Sequence, residues 1–170
     1  MENVTKVLLE AGRVRRLHTV PLIQHYDVAQ HSWNMATLLL TLHPNPTLNL
    51  LRAVLLHDAH ERWTGDVPAP IKWDDPTLAS ALHRLEEKAQ TALGIKINLD
   101  EGEQRWLRAL DILELYLFCT DEMEMGNRQV RGVINKCHDV LWGGNGVPDE
   151  VRNYLVARTY TNRTKDGWME

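Results

Sequence analysis

Apolar residues recur at helical spacing along almost the whole chain, and this periodicity is the strongest constraint on what it can fold into. Strict period-two alternation is confined to residues 94–99, too short a run to build a sheet. The punctuation fits helices throughout. Residues 3–11 predict a short first helix with Val4, Val7, Leu8 and Ala11 on one face. Residues 12–26, interrupted by Pro21, show no clear period. Asp27, three residues before Gln30, starts a second helix to about Leu42, ended by Pro44-Asn45-Pro46. A third is expected from Thr47 to Trp63, stopped by Gly65. Prolines make 66–70 a loop. Asp75-Pro76 reads as the cap and first position of a fourth helix, closed by Gly94. Asp100 and Glu103 cap a long fifth helix to about Met125. A sixth is expected over 129–141, and a seventh over 148–161, before a polar tail from about residue 162. The expected fold is all-α: one domain, residues 1–170, of about seven helices.

Composition narrows the function classes. The formal net charge of −4 argues against nucleic acid as a partner, which calls for a basic face, but leaves a small anion open to a few local Arg and Lys residues. The two cysteines, Cys119 and Cys137, form no metal-binding spacing and read as buried free thiols in a reducing compartment. No stretch approaches the roughly 20 apolar residues of a membrane span, and the N-terminal residues do not resemble a signal peptide. The expected location is cytoplasmic, with no membrane partner.

Against this background, four ionisable residues stand where a core should be. His31 shares its helical face with Met35, Leu38 and Leu42. His57 and Asp58 follow a leucine-rich stripe, and Asp111 lies among Leu107, Leu110, Leu113 and Leu115. One such residue is ordinarily a hydrogen-bonded core group. Two imidazoles and two carboxylates converging from three helices make an N/O ligand set, suited to one divalent transition metal: Zn, Co, Mn, Ni or Fe. Calcium, which takes oxygen ligands, fits poorly. Neighbouring residues of a helix differ by about 100° around its axis, so His57 and Asp58 can grip one ion from two directions. Glu61, four residues after His57, and Asp66, beyond the helix end, add carboxylates for proton transfer. The His57–His60 spacing of three excludes the zinc-protease helix, which needs four.

The order His31, His57-Asp58, Asp111 resembles the H…HD…D pattern of HD-domain phosphohydrolases. The run from His57 to Lys72 resembles the HDxxExxTGDxPxPxK stretch of the YfbR-like 5′-deoxynucleotidases. Ala109-Leu110-Asp111, Tyr116, Glu122-Met123 and Gly126-Asn127 resemble that family's last ligand helix. The resemblance implies an HD-type helical bundle, with His31, His57, Asp58 and Asp111 as metal ligands and Glu61 and Asp66 as catalytic carboxylates. It also implies substrate contacts from Arg16 and Lys72. Leu17 stands where the family places tryptophan against sugar and base, and Trp73 follows Lys72 at the mouth of the implied site. The segment around Arg16-Leu17-His18 looks more like a phage branch of dATP triphosphohydrolases, in which Arg108 corresponds to a cationic phosphate contact.

Both branches imply hydrolysis between the 5′-oxygen and the α-phosphorus of a deoxynucleotide, releasing phosphate from a monophosphate or triphosphate from a triphosphate. The cations Arg16, Lys72 and Arg108 favour a triphosphate, dATP above all, with dADP and dAMP also accepted. The alternatives are a 5′-deoxynucleotidase acting on monophosphates and a catalytically silent nucleotide-binding module. The resemblance further implies a homo-oligomer, dimer or hexamer, a second magnesium-type ion on the phosphates, and, for a phage-encoded chain, the host cytoplasm.

Overall fold

In the computed structural model, which describes residues 3–68, 75–95 and 97–166 and their side chains as far as residue 158, the expected caps are made. The Asn3 side chain accepts from the Lys6 amide and starts α1 (Val4–Ala11). Asp27 accepts from the Gln30 amide at 2.9 Å and starts α2 (Val28–Leu42). Thr47 caps α3 (Leu48–Leu56). Asp75, followed by proline, caps what becomes α5 (Pro76–Ala92). Asp100 and Glu103 form a reciprocal capping box at the head of α6 (Glu101–Glu124). A 3-10 turn (Arg128–Val130) leads into α7 (Arg131–Gly143), and α8 (Asp149–Asp166) completes the order. Among the described residues the only extended pairing is a bridge between Arg15 and Asp27. The seventh expected helix therefore runs on through residues assigned to a polar tail, to Asp166.

The third expected helix is not continuous. After Leu56 the backbone tightens into a 3-10 turn (His57–His60), followed by the single-turn α4 (Glu61–Thr64). The His57 and His60 rings each lie 3.0 Å, through Nδ1, from the carbonyl three residues back, Val54 and His57. Side chains that donate to those carbonyls compete with the regular i to i+4 ladder and favour a tighter turn. The ligand pair thus sits on a 3-10 turn rather than on the smooth helix that the spacing predicts.

The long helix α6 is the spine. It packs against α2, α3, α7 and α8. Met35 and Leu39 of α2 and Leu50 and Val54 of α3 close on its Leu110. Leu141, Val151 and Leu155 close on Ala109 and Leu113. Tyr26, Leu115, Phe118 and Cys119 form a third cluster with Val130 and Cys137. Burying such side chains supplies about 1.5–3 kcal/mol each, and it leaves the ionisable residues of α2 and α6 held between packed apolar layers. Cys119 and Cys137 are buried free thiols, as expected. Trp106 packs against the α2–α3–α6 cluster, whereas Trp33 is 71% exposed, on the outer surface of α2. Helix α5 buries none of its residues and packs against the 57–60 turn. Among the described residues, no helix is long and apolar enough to cross a membrane.

Candidate metal centre

The four expected ligands come together. One ligand atom each of His31, His57 and Asp58 lies within 4.8 Å of the others, and among the described residues no other such group of three occurs. Asp111 joins through His31, whose Nε2 is 3.2 Å from Asp111 Oδ1 and 3.7 Å from Asp58 Oδ2. His57 Nε2 is 3.3 Å from Asp58 Oδ2.

Both imidazoles are oriented from behind. His31 Nδ1 lies 2.5 Å from Glu114 Oε2, and His57 Nδ1 lies 3.0 Å from the Val54 carbonyl. With Nδ1–H donating in each case, Nε2 of both rings turns toward the cluster. Both Nε2 atoms are buried and make no hydrogen bond. Buried ring nitrogens aimed at carboxylates and anchored through the opposite nitrogen are what a divalent cation requires, so the donor set fits the transition metal that the sequence implies.

Glu114 belongs to the site as well. It is buried, and it accepts from Tyr26 Oη at 2.5 Å and from Asn34 Nδ2 at 2.9 Å as well as from His31. Its position three residues after Asp111 is the signal that points to it, because i and i+3 share a helix face.

Arg16 enters the same cluster. One guanidinium nitrogen pairs with Asp58 and stands 4.0 Å from Glu61, and the other is 3.6 Å from Asp111. Burial works against ionisation of Asp58, but His57 and Arg16 hold its carboxyl well below the ordinary range. Asp111 is likewise held down, to about 2, by His31 and Arg16 against the effect of burial. Burial would neutralise His57, and Asp58 reverses that, lifting the imidazole to about 9.

Two cavities open on these residues. One, of about 200 Å3, lies between the 57–64 turn and α5, lined by His57, Asp58, Glu61, Val67, Leu82 and His83 among others. The other, of about 300 Å3, includes Asp111, Arg105 and Arg108 of α6 and the 144–147 loop. Arg108, exposed on that wall, has no ion pair among the described residues. Leu17 packs against the apolar cluster that contains Tyr26 and Phe118. Lys72 and Trp73 lie outside the described residues.

A family model described as 5′-deoxynucleotidase YfbR-like matches residues 5–99, over half of the chain. The 5′-deoxynucleotidase of Yersinia pestis (strain Pestoides F) is 29% identical, over 69% of this chain and 74% of its own. The fold resembles that of the cyanophage S-2L HD phosphohydrolase DatZ, solved with dA and one catalytic Zn2+ ion, with a TM-score of 0.68 and 20% identity over 93% of this chain and 96% of that one. It also resembles the PH0347 protein of Pyrococcus horikoshii OT3, with a TM-score of 0.64 and 14% identity over 92% and 97% of the two chains. At these identities the two structures speak to the fold, an all-helical HD-type bundle.

Proposed function

The chain belongs to the YfbR-like 5′-deoxynucleotidase family and is a hydrolytic enzyme, and from that premise we propose that it cleaves the bond between the 5′-oxygen and the α-phosphorus of 2′-deoxynucleotides, with dATP as its main substrate. The products are deoxyadenosine and triphosphate, with dADP and dAMP also accepted. The observation that carries the reading is the convergence of two rear-anchored imidazoles on Asp58 and Asp111 beside the buried carboxylate of Glu61. The likeness to a phage enzyme bound to dA supports the choice of adenine, and a role in phage nucleotide-pool control.

His31, His57, Asp58 and Asp111 would hold one divalent transition metal, with zinc favoured by the ion in that structural relative. When bound, it supplies Lewis-acid polarisation of the phosphoryl oxygen and lowers the pKa of water. Glu61 lines the cavity that opens on His57 and Asp58, and it handles the proton there. A water oxygen bonds to the α-phosphorus, the bond from phosphorus to the 5′-oxygen breaks, and the proton lost by the water balances the one gained by the leaving oxygen. Arg16, within reach of three carboxylates of the cluster, brings positive charge to the phosphoryl group. Arg108 faces the cavity that Asp111 shares, and it offers a cation to the phosphates beyond the α position.

A second reading, a 5′-deoxynucleotidase acting on monophosphates, is favoured by the curated relatives, which carry that name. Incubating the zinc-loaded protein with dATP and with dAMP and separating the products decides. Triphosphate from dATP supports the first reading. Phosphate from dAMP with no triphosphate from dATP installs the second. Turnover of neither, with nucleotide still bound, leaves a silent binding module. The chain also assembles as a homo-oligomer in this reading: α2 carries no Asp, Glu, Lys or Arg, and it leaves Trp33 and Leu40 exposed. Sedimentation velocity tests this.

A further inference from the structure

We infer that Asp66 is a positioning residue that holds the Arg16 loop at the ligand cluster, rather than a carboxylate that moves a proton in the reaction.

Gly65 ends α4 with φ +69, and its amide donates to the Glu61 carbonyl at 2.7 Å. That left-handed residue turns the chain, and the next side chain, Asp66, meets residues some fifty positions earlier. Its Oδ2 accepts the Leu17 amide at 2.9 Å and stands 3.9 Å from His18 Nδ1. The Asp66 side chain is itself 11% exposed, so this bond is shielded from water.

What it holds is a strained turn. Leu17 has φ +50, and among the described residues it is the one non-glycine residue in the left-handed region. Such a backbone costs on the order of 1 kcal/mol or more in a residue with a Cβ. The reason for the strain lies in the two side chains it separates. Arg16 must reach Asp58, Glu61 and Asp111, whereas Leu17 packs on the Tyr26–Phe118 cluster. Extended backbone would also send neighbours to opposite faces, but it would carry the chain onward. Here the chain folds back at once, with the Val20 amide donating to the Leu17 carbonyl at 2.9 Å. On the other side the Arg16 amide donates to the Tyr26 carbonyl at 3.0 Å. Between these two bonds the Leu17 amide has the Asp66 carboxylate as its partner.

A carboxylate that accepts a part-buried amide is engaged as a hydrogen-bond acceptor. Protonating it in each turnover would weaken the bond that secures the loop. Glu61, by contrast, lines the cavity beside His57 and Asp58, a lining to which Asp66 does not contribute. The division of labour is therefore one carboxylate at the reacting atoms and one behind Arg16. The Thr-Gly-Asp run thus reads as a hook, with a helix stop, a chain reversal and a clasp for the arginine loop.

The test compares Asp66→Asn with Asp66→Ala. Asparagine keeps an acceptor for the Leu17 amide but takes up no proton. The first measurement is hydrogen–deuterium exchange of the Leu17 amide, which is independent of turnover and so stands even where the proposed substrate fails. Protection should persist in Asp66→Asn and fall at least tenfold in Asp66→Ala. The second is the pH profile of kcat with dAMP and dATP as probes. Asp66→Asn should keep kcat within about threefold and both limbs of the profile, while Asp66→Ala loses more than about thirtyfold. An Asp66→Asn protein that protects Leu17 yet is as slow as the alanine variant, or lacks one limb, overturns the inference. So does an alanine variant with undiminished Leu17 protection.

Discussion

Glu114 Oε2 accepts from both His31 Nδ1, at 2.5 Å, and Tyr26 Oη, also at 2.5 Å, so a single buried oxygen orients the imidazole from behind. A carboxylate in that place fixes the ring's tautomer and raises its basicity as a ligand. Glu114→Gln keeps the size of the side chain and removes its charge. The expected result is a loss of about 10- to 100-fold in zinc affinity, read by competition with a chromophoric chelator, with far-ultraviolet circular dichroism unchanged. Undiminished affinity would remove Glu114 from the centre.

Gly65 stands at φ +69 with nothing within 4 Å of the position a Cβ would take. A substitution there meets no neighbour, so its cost is that of the backbone alone, about 1–3 kcal/mol for alanine at φ +69, ψ 170. Gly65→Ala should lower the urea midpoint modestly. It should reduce kcat/KM more than that stability loss explains, because Asp66 is displaced with the turn. Gly65→Asn should fare no better than alanine, because φ +69 with ψ 170 lies outside the left-handed helical region that asparagine tolerates. Recovery by asparagine would show that the turn's conformation is not what matters.

The helices were legible because their ends are local chemistry. Asp27, Thr47, Asp75 and the Asp100–Glu103 pair each cap the helix they announce. The ligands were legible because a charge on an apolar stripe is costly unless it is paired. The 3-10 turn at His57 was not, because it depends on ring nitrogens reaching backbone carbonyls, which no spacing rule records. Trp33 shows that an aromatic side chain within a helix need not face the core, since it lies outward on α2. The contact between Leu17 and Asp66 was not legible either. It joins segments 49 residues apart, and a left-handed leucine leaves no mark in the sequence.

Arg108 separates the two substrate readings. It faces the cavity that Asp111 shares, one turn before that residue. A charge-assisted bond to a distal phosphate is worth about 1.5–3 kcal/mol, so Arg108→Ala should raise KM for dATP at least tenfold. KM for dAMP, which lacks those phosphates, should stay within about twofold. Michaelis curves for the two substrates under the same metal loading check this. An equal rise for both would place Arg108 at the α-phosphate or at the nucleoside.

His57 makes the metal's contribution to stability depend on pH. Burial lowers the proton affinity of this imidazole, but the Asp58 carboxylate raises it more, to about 9 from an ordinary 6.5. A group whose pKa is raised by folding stabilises the folded chain fully below its unfolded value and loses that contribution as the pH passes its folded value. In chelated protein the imidazolium–Asp58 attraction is therefore intact near pH 6 and fades between about 6.5 and 9, a change of at most about 3 kcal/mol. A cation bound at His57 Nε2 replaces that proton, so metal-loaded protein should not share the decline. Urea midpoints in EDTA should fall from pH 6 to 9, those in zinc should hold, and the gap should widen with pH. Parallel lines would mean that zinc does not bind through His57.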